Sequence, residues 1–126
     1  MSVVKANKIV HNSGSETTEI DIPSLDQRMA KVLLNYNGSA GSIRHSYNIS
    51  SVVDNGTGDY TVNFASALAD TNYVLVNGWE ASPNNSTRSN HTFDSYSYTT
   101  TSVRILGSGA SNVAQNFAYL WLAIFR

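Results

Sequence analysis

His11, His45 and His91 are the chain's histidines, the side chains most often used to hold a transition metal. None has a second metal-ligating side chain at i+2 or i+4, the spacings that bring two donors together on a strand or helix. They read as surface or turn residues, and no metal site is expected. Asp54 and Asp59 bracket the loop "DNGTGD", where carboxylates can join backbone carbonyls around calcium. The alternating carboxylates of an EF-hand are missing, so capping of a turn explains them better. Glu80 and Asp94, near the aromatic Trp79, are the acids that could be paired for glycoside hydrolysis, but spacing along a chain does not set the gap between them. Serines abound without a G-x-S-x-G elbow. "GSGASN", residues 107 to 112, lacks the Gly-Lys-Ser/Thr that would follow in a phosphate-binding loop, and reads as a hairpin loop. Neither an enzyme nor a cofactor-binding protein is expected.

The surroundings of these residues point the same way. Charged residues make up 13% of the chain and the formal net charge is -1, against roughly 25% charged residues in an average domain. Ser, Thr and Asn replace them, as in "SPNNSTRSNHT" and "SYSYTTTS"; such a composition suits short strands and polar turns. No cluster of Lys and Arg offers a footprint for nucleic acid. No apolar run is long enough for a membrane-spanning helix, and "MSVVKANKIV" has no signal-peptide hydrophobic region. With no cysteine in 126 residues, stability is expected from packing alone, in a chain that folds inside a cell.

The elements that must position any site are strands. Up to residue 30 the chain reads as an extended N-terminal arm. It has short apolar pieces at Ile9-Val10 and Ile20-Ile22, a polar turn from Asn12 to Ser15, and a capping-box pattern at Ser24 and Gln27 that predicts one helical turn. From residue 31 to 126 a single antiparallel β-sandwich is expected, because apolar residues recur with period two. Val32, Leu34 and Tyr36 share one face of a strand; Tyr47 and Ile49 lead, after a slip, to Val52 or Val53. "SSVVDNGTGDYTVNF" is a hairpin turning through Asp54 to Gly58, with residues that tolerate positive φ, and Tyr60, Val62 and Phe64 on its second strand face one way. Tyr73, Leu75 and Asn77 alternate with Val74 and Val76; "ASALAD" has room for one helical turn at most. Further strands are expected at Tyr96 to Thr101 and Val103 to Leu106.

In the last strand, "NFAYLWLAIFR", both faces are apolar. Phe117, Tyr119, Trp121, Ala123 and Phe125 take one side; Ala118, Leu120, Leu122 and Ile124 take the other. Either this is a central strand covered by the N-terminal segment, or its second face is a subunit interface. We favour the interface, formed by Tyr119, Leu120, Trp121, Leu122, Ile124 and Phe125, because so much exposed apolar surface drives association. The other candidate site is the connection from Glu80 to Ser95, long enough to be functional. Trp79 just ahead of it and Arg88, His91 and Phe93 within it are able to stack on or bond a glycan, and Asn84, Asn85 and Asn90 to add amide contacts. A solvated loop with no ligand explains the same composition.

The stretch from Met29 to Val76 resembles a domain that recurs in tail fibres and related virion proteins of tailed bacteriophages. The resemblance is carried by Tyr36-Asn37-Gly38, by "RHSYNIS" at Arg44 to Ser50, by "DNGTGDYTVNF" at Asp54 to Phe64, and by Ala65 to Val76. "KVLLNYNG" lacks the Trp common in that family, and the C-terminal half is only generally similar. The resemblance implies a β-sandwich domain of a homotrimeric fibre, assembled in the host cytoplasm, that attaches a virion to a surface or decorates it; a host-surface glycan is the ligand expected for the Glu80 to Ser95 connection. The weak apolar content of residues 2 to 23, ahead of the break at Pro23, makes the N-terminal arm the expected anchor to other virion proteins. With about thirty residues ahead of the sandwich, the expectation is a short tail, neck or head fibre, or else a capsid decoration protein with a purely structural role.

Overall fold

The computed structural model describes residues 8–12, 17–21, 28–80, 92–108 and 114–126. Strands β1 (Lys8–Asn12) and β2 (Thr17–Asp21) form an antiparallel hairpin of their own. The other strands are β3 (Ala30–Asn37), β4 (Ser42–Tyr47), β5 (Ile49–Gly56), β6 (Asp59–Phe64), β7 (Val74–Glu80), β8 (Thr92–Tyr98), β9 (Ser102–Ser108) and β10 (Tyr119–Phe125). They build two four-stranded antiparallel sheets, ordered β4-β3-β10-β7 and β5-β6-β9-β8. No helix occurs among the described residues.

The inner faces are those that period two predicts. Val32, Leu34 and Tyr36 from β3 and Leu120, Leu122 and Ile124 from β10 meet Tyr60, Val62 and Phe64 from β6 and Val103 and Ile105 from β9 in one cluster. This arrangement is consistent with a β-sandwich. Each large side chain so buried contributes roughly 1.5–3 kcal/mol. Phe117 is fully buried as well, contrary to its expected place beside Tyr119. Strand β10 begins only at Tyr119, so alternation does not extend back to Phe117. Its ring occupies the space a Cβ at Gly107 would need. Tyr60, packed 5.6 Å from Phe117 between ring centres, has its hydroxyl pushed up to about 12, by burial first and the nearby Asp54 charge second.

Asn48 turns the chain from one sheet to the other. It holds φ at 56°, which Asn tolerates better than most residues. Its Nδ2 donates to Lys31 O and Ser66 O, both at 3.1 Å, and its Oδ1 accepts from Ser66 N at 2.7 Å. The expected slip lies here: the β5–β6 register shifts between Ile49 and Ser51, and Val52 rather than Val53 packs against the core.

Other expectations change. The hairpin turn is tighter than Asp54–Gly58, since pairing continues to Gly56 opposite Asp59. "ASALAD" is irregular, tied in by Leu68 N donating to Thr100 O at 2.8 Å. Strand β8 runs Thr92–Tyr98, earlier than the expected Tyr96 to Thr101. The capping-box residues Ser24 and Gln27 lie outside the described residues.

Candidate functional site

Strand β10 lies inside its sheet, between β3 and β7, and its two apolar faces have separate fates. Leu120, Leu122 and Ile124 are spent on the chain's own core, at most 2% exposed. This corrects their assignment to a subunit interface: a side chain enclosed by its own sandwich has no surface to offer a partner. Tyr119, Trp121 and Phe125 face outward, with Trp121 41% exposed.

The neighbouring strands extend that outward face. Register sets Ala123 opposite Val76 on one side and Leu33 on the other, and Leu33 opposite Tyr47. Val74, Val76 and Tyr47 are 64%, 55% and 59% exposed. The small Ala123 floors a hollow of about 470 Å³ lined by Trp121, Val76, Leu33, Asn35 and His45. A second hollow, about 490 Å³, shares Leu33 and His45 and runs to Tyr47, Lys31 and Met29. Exposed large apolar residues here leave on the order of 600 Å² of side chain in water, the top of the ~300–600 Å² range for a typical monomer's largest patch.

Polar groups at the rim shape this face. Arg44 stacks 4.1 Å over the Tyr119 ring and donates to Ala118 O at 2.9 Å and Tyr36 O at 3.2 Å. Tyr119 in turn lies 5.8 Å from Trp121 with the rings 14° apart. Trp121 is placed against Gly78, its cross-strand partner, where a Cβ would come 3.3 Å from the ring. Asn35 Oδ1 is buried with no hydrogen-bond partner. An acceptor left so costs about 1–3 kcal/mol.

The expected glycan site fares differently. Trp79 is half-buried, its ring 4.4 Å from Phe117, and it packs against the core. It is therefore a wall of the sandwich and not an open stacking platform. Glu80 ends β7, and Thr92 to Ser95, Phe93 included, belong to β8, so the connection shortens to residues 81–91. Asn84, Asn85, Arg88, Asn90 and His91 lie outside the described residues.

The chemistry-bearing residues are dispersed. His45 is exposed on β4 and His11 sits in β1. Asp54 Oδ1 accepts from Gly56 N at 2.9 Å, a turn cap. Asp59 takes Arg104 Nε at 2.9 Å and Asn55 Nδ2 at 3.2 Å. Arg104's hydrogen bonding holds this carboxyl below its usual range, helped by Asn55 and opposed by partial desolvation. Glu80 and Asp94 lie on strands of different sheets. Among the described residues, no three His, Asp or Glu gather into a metal-sized group.

The residues missed in the sequence were Leu33, Tyr47, Met29 and Asn35. The signal was present in "KVLLNY": Leu33 is apolar on the side opposite Val32 and Leu34, as Val74 and Val76 are opposite Tyr73 and Leu75. Comparison of the chain with protein-family models, with curated proteins and with solved structures finds no match.

Proposed function

We propose that this chain is a subunit of a bacteriophage virion fibre, a homotrimeric β-sandwich that attaches the particle to the host surface. The polarity of the sandwich carries this reading. The chain enters at Ala30, beside Phe125 and Val74, while the 81–91 connection leaves from Glu80, beside Tyr119 at the other end of β10. Six residue steps at ~3.4 Å put these ends about 20 Å apart. An arm at one end and a polar loop rich in Asn and Ser at the other is the layout an anchored display module needs. In this reading residues 1–30 engage other virion proteins, and Arg88, His91 and the amides of Asn84, Asn85 and Asn90 meet a host glycan.

The outer face of the β4-β3-β10-β7 sheet supports the oligomer. Its exposed area approaches the ~800 Å² that each partner contributes to a standard interface, and a closed ring would use every copy of it. The choice of three subunits rests on the resemblance of Met29 to Val76 to fibre domains.

The test is negative-stain imaging of particles labelled with an antibody to this chain, together with binding of the purified protein to host cells. Label at a tail, neck or head fibre and cell binding lost on replacing residues 81–91 are expected. Label spread over the capsid with no cell binding would replace this reading with a decoration role.

A further inference from the structure

We propose that the outer face of the β4-β3-β10-β7 sheet seats the acidic N-terminal hairpin, β1–β2, of a neighbouring copy of this chain. The proposal rests on reading that face as a subunit contact and names what fills it. Charge supplies the first argument. From Lys8 to Asp21 the hairpin carries three acids, Glu16, Glu19 and Asp21, against one base, Lys8, which stands opposite Asp21. The outer face carries Lys31 and His45 at its hollows and Arg44 over Tyr119, with Glu80 as the acid across from Tyr119. Opposite charges steer and register such a contact.

Size and need supply the second. A five-residue strand pair is roughly 17 Å long, about the length of this face, and a two-stranded hairpin is marginal in water until it packs on something. Among the described residues nothing covers the face, and Asn35 Oδ1 has no donor. The tether supplies the third. Six residues, 22–27, separate β2 from Arg28 and from Met29, Ala30 and Lys31, which line the second hollow; a six-residue tether reaches at most about 20 Å. Val74, Val76, Tyr47 and Trp121 stay exposed in a chain that contains its own hairpin, so the hairpin that covers them comes from a neighbour. This ties subunits together at the end where the arm enters.

The absence of cysteine makes cross-linking a clean test. Full-length Val76→Cys and Thr18→Cys chains of different tag length are co-expressed and mildly oxidised, with Ser51→Cys, on the other sheet, replacing Val76→Cys as control. At least a ten-fold excess of the Val76–Thr18 heterodimer over the control is expected. It should fall several-fold when Lys31→Glu is added, and recover with Glu19→Lys. Three results would overturn the proposal: no excess over control, Val76–Val76 dimers predominating, or linkage only within a chain carrying both cysteines. None involves a particle or a host cell, so the proposal can fail while the fibre reading stands. A particle image can likewise remove the fibre reading and leave the hairpin contact.

Discussion

On the outer face of the β5-β6-β9-β8 sheet, Asn63 Nδ2 donates to Ser51 Oγ at 3.0 Å and Asn55 Nδ2 to Thr61 Oγ1 at 2.8 Å, while Arg104 pairs with Asp59. Cross-strand neighbours there satisfy one another, and Val53 stands as an exposed apolar residue among them. On the outer face of the β4-β3-β10-β7 sheet, the cross-strand row is Val76, Ala123, Leu33 and Tyr47. Two sheets of one small domain thus treat water differently. Among the described residues, the first face pairs its polar groups across strands, and the second leaves large apolar side chains in water. The difference separates stability from assembly: the core holds the fold, and the second outer face is the one on which the proposed assembly would be built.

The largest effect expected from this division is at Leu122. It is enclosed in the chain's own core, so Leu122→Asp should cost several kcal/mol of folding stability through an unpaired buried charge. Circular dichroism would then show an unfolded chain at every protein concentration. A folded monomer would mean that Leu122 serves assembly instead. Next comes the outward face: Trp121→Lys combined with Val76→Lys should leave the far-UV spectrum unchanged and weaken self-association by a hundred-fold or more, about 2.7 kcal/mol. Sedimentation equilibrium measures it. Val53→Lys, on the polar-paired face, should change stability by no more than about 0.5 kcal/mol and association not at all.

Asn35→Leu sharpens the comparison further. It replaces a buried acceptor without a partner, so the isolated subunit should gain about 1 kcal/mol in urea unfolding. If a covering chain donates to Asn35 in the assembly, the same substitution weakens association by a similar amount. Equal stabilisation of subunit and assembly would mean that no donor reaches it.

The core was legible because strands announce it: Val32, Leu34 and Tyr36, then Tyr60, Val62 and Phe64, alternate in plain sight, and each set lies inside. The two-faced last strand was legible too, but the allocation of its faces was not. Alternation gives two sets without saying which one faces the opposite sheet, and Leu120, Leu122 and Ile124 were placed at an interface when they line the core. Phe117 and Trp79 went astray for a related reason. Phe117 enters the core from ahead of β10, and Trp79 packs on it, a contact between residues far apart in sequence. The outer face was assembled from Leu33, Val76, Trp121 and Tyr47 on four strands, and only the register brings these together.

The smallest expected effect tests the polar-paired face by pH. Arg104 hydrogen-bonds Asp59 on adjacent strands, and this lowers the carboxyl's affinity for protons in the folded chain. A carboxylate with a depressed folded pKa adds stability that is present above its unfolded value, near 4, and lost as pH falls through the lower folded value. Because Arg104 is 41% exposed and Asp59 15% exposed at the side chain, solvent screening limits the gain to about 1 kcal/mol. Asp59→Asn should therefore destabilise the chain by about that much at pH 7, with the difference from wild type shrinking as pH falls below 4. Urea unfolding at pH 7 and pH 3 measures both. A difference that held constant down to pH 3 would assign the loss to packing and not to charge. The polar face would then be held by its Asn–Ser and Asn–Thr contacts alone.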